Sequence, residues 1–460
     1  MQHAQKEAPP KGLVAALCFV LFFSVMNATM FNVALPAIAT DFRLGSSTVS
    51  WVVTGYSVLY ALGSLLFGKL ADKYPLKRLI TTGLLLFAAA SAFGFFADSF
   101  AWLLVARFAQ AAGASCVPAL VMLIPIRFFP AERRGRVMGV IASTIAFSSG
   151  VGPILGGFVA GQFHWNGLFL ISLAALAALP FIRRALPAET ARSGEKVDLL
   201  GAGLLGAGVA SLMLAVTQFS LLWLLAAVLL TGLFVLRASR APNPFIRLSL
   251  LRNSAFVNGL IASFAALFCV FGIFILTPLM LGQLYDLDAR MIGFVLFPAA
   301  MLAALIGRAG GSLVDRRGSR YTLMAALLAM GAGLLALSAV TGTRVWLIAL
   351  VLPLINVPFT FVQTALAKAV SAVLPQEQTG IGMGIYNLVN FLSGAISGAI
   401  VSKAAEFDGG HLNITALGDR SMYGFIYFAL MLIVLATMIW VYARIERTAS
   451  HAKAGRQAER

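Results

Sequence analysis

The chain has 460 residues, a formal net charge of +17, 60% hydrophobic and 11% charged residues, and a mean hydropathy of +0.91. Soluble globular chains carry about 25% charged residues, so this composition excludes a water-solvated core as the main body and points to an all-α, polytopic membrane protein. Nucleic acid is excluded as a partner because the Lys and Arg residues are spread over short loops between apolar runs instead of being gathered on one soluble face.

In chain order, the apolar runs predict fourteen transmembrane helices, α1–α14, over residues 12–35, 49–70, 79–97, 100–126, 136–161, 165–183, 199–217, 219–236, 255–282, 291–312, 320–341, 344–370, 379–403 and 421–443. Each is close to the ~20 residues that cross about 30 Å of hydrocarbon. The first run is too long for the apolar stretch of a signal peptide, and Asn27, Thr29 and Asn32 interrupt its end, so it reads as a retained helix. Residues 199–236 hold no charge and have basic segments on both sides. As one helix they would run about 57 Å, far beyond the bilayer, so a hairpin turning near Gln218 and Ser220 is expected.

Alternate connections are basic. One set holds Lys69, Lys73, Lys77, Arg78, Arg127, Arg133, Arg134, Arg136, Arg183, Arg184, Arg192, Lys196, Arg237, Arg240, Arg247, Arg252, Arg316, Arg317 and Arg320, and the other only Arg43, Arg290, Arg344, Lys403 and Arg420. Because short basic loops stay on the cytoplasmic side, both termini are expected inside, the C-terminal tail with Arg444, Arg447, Lys453, Arg456 and Arg460 included. Cys18, Cys116 and Cys269 fall inside apolar runs without metal-like spacing, so they read as packing residues and no metal or cofactor is expected.

A motif occurs twice: "GKLADKYPLKR" at 68–78 and "GSLVDRRGSR" at 311–320. Aligned on Gly68 and Gly311, the copies share Leu70/Leu313, Asp72/Asp315 and Lys73/Arg316, and both end in bases, among them Arg78. Each copy closes a helix, α2 and α10, at a basic loop. An offset of eight helices implies two six-helix halves with a hairpin between them: residues 1–196, 197–240 and 241–460. Parallel repeats of this kind build two rocking halves around a site at mid-membrane. Gly68 and Gly311 allow close helix approach, and Asp72 and Asp315, with the nearby bases, form a gate that breaks as the halves rock.

Arg107 is the one charge deep in the first half, and an ionisable residue there is a functional candidate by default. It shares a helix face with Gln110 and Ala114. Asn27, Tyr56, Tyr60, Asn356, Gln363, Asn387, Asn390 and Ser397 supply further polar positions among many Phe residues, which describes an apolar pocket with scattered hydrogen-bonding groups for an amphipathic ligand. The same residue types suit helix-to-helix bonds equally well, which leaves both readings open. Arg308 lies two turns before Asp315 and reads as a surface-reaching side chain. Gly152, Pro153, Gly156 and Gly157 weaken α5 locally and suit a hinge; a tight static crossing uses the same residues.

The repeated Gly-x-Leu-x-Asp-basic pattern, "LLVARFAQAAGA" in α4 and "SSGVGPILGG" in α5 resemble the signature motifs of the major facilitator superfamily, with Pro75 where the family pattern has Gly. The α5 pattern is similar to that of proton-driven exporters. The helix count, "NVALPAI" in α1 and "FHWNGLFLI" opening α6 resemble the fourteen-helix drug/proton antiporter branch and, within it, the Gram-positive tetracycline exporters. The resemblance implies a major facilitator fold and export of small amphipathic drugs or metabolites by alternating access with protons as the coupling ion. It also implies a monomer in a bacterial plasma membrane, not an enzyme. By the resemblance, the tetracycline exporters carry glutamates in α1, α5 and α13 where this chain has Ala28, Ser149 and Gly394; Asp41, at the outer end of α1, is the nearest substitute as proton carrier. The missing acids leave a second expectation open: a metabolite facilitator or importer without proton antiport.

Overall fold

The computed structural model describes residues 12–44, 46–49, 51–186, 198–287, 289–375, 378–405 and 422–458. The expected boundary at residue 196, Arg192, Lys196, Arg420 and the side chains of the basic tail lie outside the described residues.

Helices form where the apolar runs were read, and most extend past the predicted ends. They are α1 Leu13–Asp41, α2 Trp51–Lys73, α3 Leu76–Phe95, α4 Phe100–Phe128, α5 Ala131–Gln162, α6 Gly167–Ala185, α7 Leu199–Gln218, α8 Leu221–Arg240, α9 Ser254–Leu284, α12 Val345–Ala372, α13 Thr379–Ala405 and α14 Met422–Ala458. One continuous segment, Ala289–Val340, covers the remaining two.

Among the described residues, thirteen segments are long and apolar enough to cross a membrane, and one of them, Met291–Val340, has 50 residues. As a single rod it would measure about 75 Å, more than twice the hydrocarbon thickness. It breaks at Gly318, whose φ of 84° and ψ of 162° are non-helical. The break yields α10 (289–317) and α11 (319–340), and hence fourteen candidate crossings among the described residues of an all-α membrane fold. The hairpin turns where expected, between Gln218 and Leu221, with Phe219 in the left-handed region at φ 50°. Leu221, Leu222, Leu225, Val228 and Leu229 on α8 face outward, as a lipid-contacting helix requires.

Within the first six helices, α1 packs on α5, α2 on α4 and α3 on α4; in the last six, α9 packs on α13 and α14, and α12 on the α10–α11 segment. The two groups meet along α2 with α13 and α5 with α10. The hairpin helix α7 lies against both α2 and α13.

Candidate functional site

Arg107 is completely buried, 0% exposed, and sits at the centre of a polar network in the first half. Its Nε donates to the carbonyl of Val52 on α2 (3.2 Å), and its Nη1 donates to Asn27 Oδ1 on α1 (3.0 Å) and to Gln110 Oε1 one turn along α4 (2.7 Å). Gln110 Nε2 continues to Ser91 Oγ on α3 at 2.8 Å, and Asn27 Nδ2 to Ser172 Oγ on α6 at 2.6 Å. The guanidinium lies between the rings of Phe31 and Tyr56, 4.0 Å from each centroid. Five helices are thus tied to one cation through neutral dipoles and ring faces.

Tyr56 stacks on Tyr60 at 5.6 Å, and Tyr60 meets Phe391 of α13 edge-on at 4.9 Å, so this aromatic file bridges the halves. The Tyr60 hydroxyl bonds Ser24 Oγ at 3.3 Å. In the second half, Asn390 Oδ1 accepts from Ser263 Oγ at 2.7 Å, and Ser397 Oγ donates to the Phe268 carbonyl. Asn390 and Ser397 therefore join α13 to α9, whereas the buried Asn387 Nδ2 has no partner. Asn356 Oδ1 and Gln363 Oε1 on α12 are likewise buried without one.

The two copies of the repeated motif form matching locks on the face that carries the basic loops. Asp72 accepts from the backbone N–H groups of Gly380 (2.8 Å) and Ile381 (2.9 Å), and Arg127 Nη2 lies 3.6 Å from its Oδ1. Asp315 accepts from the N–H groups of Gly135 (3.0 Å) and Arg136 (2.8 Å) and is paired with Lys368. Each carboxylate thus reaches across to an early turn of a helix in the opposite half, α13 or α5, where the helix dipole favours an anion, and takes its base from the end of α4 or α12 in its own half.

The bases paired here, Arg127 and Lys368, lie outside the two motif copies, while Lys69, inside the first copy, also acts on Asp72. Arg78 and Arg316 are exposed, and Lys73 lies over the ring of Tyr74, 5.5 Å from its centroid. Lys368 and the N–H donors were missed. A pattern that could have pointed to the donors is the Gly-x-x-x-Gly spacing of Gly135/Gly139 and Gly380/Gly384, which opens both receiving helices. The motif glycines close the same contact: a Cβ on Gly68 would stand 2.6 Å from the Gly380 carbonyl oxygen, and one on Gly311 would stand 2.7 Å from Arg136 Cα.

In α5, a Cβ on Gly152 would reach Thr29 and Met26 of α1, and one on Gly156 the backbone of Met30; Gly157 faces Val33 at ordinary contact distance. The helix runs unbroken through Pro153, so these residues form a close crossing with α1. Asp41 stands at the opposite end from the locks, its side chain 43% exposed, accepting from Trp165 Nε1 at 2.9 Å with His164 Nε2 3.4 Å away. Arg308 is exposed.

The chain is 27% identical over 396 residues to the riboflavin transporter RibZ of Clostridioides difficile, covering 84% of this chain and 86% of that one. It is 27% identical to the multidrug resistance protein Stp of Mycobacterium tuberculosis (83% and 73% covered) and 28% identical to multidrug resistance protein 3 of Bacillus subtilis (74% and 69% covered). In fold it matches the crystal structure of the human organic anion transporter MFSD10 with a TM-score of 0.68 at 18% identity, over 94% of this chain and 100% of that one. The Major Facilitator Superfamily profile matches residues 17–398, and the chain belongs to that family of membrane transporters.

Proposed function

We propose that the protein is a proton-coupled exporter of small amphipathic molecules that works by alternating access in a bacterial plasma membrane. The observation that carries this reading is the pair of carboxylate locks, which join the two halves on the face that carries the basic loops, where a device that opens and closes needs a breakable contact. That face is the cytoplasmic one by the distribution of Lys and Arg. Export is supported by the glycine pattern of α5 and by relatives named as multidrug resistance proteins. The aromatic file of Tyr56, Tyr60 and Phe391, beside the Arg107 network, offers the mixed apolar and hydrogen-bonding surface that an amphipathic substrate needs. The domains are taken as residues 1–196, 197–240 and 241–460, acting as a monomer with both termini inside.

A second reading, a metabolite facilitator without antiport, is favoured by one observation. Among the described residues, every carboxylate lies at a helix end, in a connection or, as Glu446, beyond the apolar span of α14. Asp41 and Asp72 are then the candidates for proton transfer. Efflux of a fluorescent amphipathic panel that includes tetracycline, measured from proteoliposomes with and without an imposed pH gradient, separates the readings. Gradient-driven efflux that is lost in Asp41→Asn supports antiport with its carrier at the outer end of α1. Flux indifferent to the gradient in the wild type replaces antiport by facilitated passage.

A further inference from the structure

The guanidinium of Arg107 is satisfied on one side only. Its Nε and Nη1 face three neutral acceptors and its two faces are covered by rings, but the buried Nη2 has no acceptor, and neither has the buried hydroxyl of Tyr56, whose ring covers the same guanidinium. No carboxylate pairs with Arg107 among the described residues. Neutral dipoles orient a cation but do not neutralise it, and a lone charge inside a membrane protein is costly. Nη2 carries donors only, and the Tyr56 hydroxyl offers one more, so together they suit a group rich in acceptors. With Nε and Nη1 occupied the fork is not open, and the N–H groups of Nη2 beside the Tyr56 O–H suit one anionic acceptor such as a carboxylate, through charge-assisted hydrogen bonds. Arg107 lies about 10 Å along α4 from Phe100, at the end opposite the locks.

We infer that Arg107 Nη2 and the Tyr56 hydroxyl bind the anionic group, in its simplest form a carboxylate, of the molecule the protein carries. The inference rests on the transport reading above. The same chemistry would be met by a resident inorganic anion, and the test includes that source.

The thermal unfolding midpoint of the purified full-length protein in detergent is measured at matched ionic strength with benzoate, benzamide or chloride. Benzoate should raise the midpoint and benzamide should not. The benzoate effect should vanish in Arg107→Gln, and in Tyr56→Phe, which keeps the ring, the affinity for benzoate should fall roughly tenfold. No benzoate shift, or an equal shift in Arg107→Gln, overturns the assignment. A shift with chloride alone gives the site to a resident anion and overturns its role in binding cargo.

Counterflow of dansyl-phenylalanine against dansyl-phenylalaninamide in proteoliposomes then separates this inference from the exporter reading. Acid moved about tenfold faster than amide supports the inference. Equal movement of both overturns it while leaving transport of amphipathic molecules intact. A benzoate shift that depends on Arg107, with neither dansyl compound moved, keeps the anion site and removes the exporter reading.

Discussion

At the scale of single residues, Asp72 and Asp315 were legible because each sits in a repeated motif, while their bases were not. Arg127 is one of several arginines at the α4–α5 connection, and Lys368 is a single lysine near the end of an apolar run. Nothing in the spacing says which base folds back onto a carboxylate some 50 residues away, since that depends on helix packing. Arg107 was legible for a different reason: a charge in an apolar run stands out whatever it touches. Asn390 looked like a pocket residue by its helical spacing, but spacing fixes a face without saying what the face meets, and here it meets Ser263 of α9. The Lys368–Asp315 pair leads to a prediction. Lys368→Gln leaves a carboxylate with backbone donors but no counter-charge and should weaken the closed arrangement by about 1.5–3 kcal/mol, with Lys368→Arg largely restoring it. Distances between spin labels at the exposed Arg184 and Arg252, one on each half, report this as a larger population of separated halves in Lys368→Gln. An unchanged distance distribution would mean that the backbone donors alone hold Asp315.

At the scale of helices, apolar run length gave the number and order of the crossings. What run length could not give is where a helix continues through a connection. The α10–α11 segment stays helical on both sides of Gly318, and only that residue's positive φ separates the crossings. The close approach of α2 to α13 depends on Gly68, where a Cβ would stand 2.6 Å from a carbonyl oxygen. Gly68→Ala should therefore force these helices apart and lengthen the Arg184–Arg252 label distance. Gly203→Ala, with nothing within 4 Å of its added Cβ, should leave the distance unchanged and raise helix stability by about 0.5–1 kcal/mol. The hairpin is fastened at its base by Asp198, which caps α7 by accepting from Gly201 N and pairs with Arg237 of α8 at 3.2 Å. Burial raises this carboxyl's pKa, but the Gly201 amide and Arg237 outweigh it and hold the group below its ordinary value of 3.8. A depressed native pKa stabilises the fold above the ordinary value, and the contribution disappears as pH falls from there through the native one. Unfolding of the wild type should thus become easier below pH 3.8. Asp198→Asn should lack that part of the acid dependence and, having lost its ion pair, be less stable near neutrality; a variant that keeps the wild-type acid profile would remove Asp198 as its source.

At the scale of the whole molecule, the repeat of the Gly-x-Leu-x-Asp motif points to two halves, but the way the locks are wired together was not legible, because it appears only when the helices are assembled. The α4–α5 connection supplies Arg127 to Asp72 and the N–H groups of Gly135 and Arg136 to Asp315. The α12–α13 region supplies Lys368 to Asp315 and the N–H groups of Gly380 and Ile381 to Asp72. Each lock therefore has one part on each of the two connections, and moving either connection disturbs both carboxylates. Groups that share no partner give additive effects, whereas groups in one network show coupling of about 0.5–3 kcal/mol. A double-mutant cycle with Asp72→Asn and Asp315→Asn tests this on the populations of closed and separated halves. Each single change should cost about 2 kcal/mol of closed-state stability, roughly a thirtyfold change in the ratio. The double variant should fall short of the thousandfold that independent locks would give, because the first loss already releases the connections that the second lock needs. Strict additivity would mean two separate fasteners that happen to face each other. Coupling would mean that the basic face opens as one cooperative unit, which is what a carrier requires if it is never to be open on both sides at once.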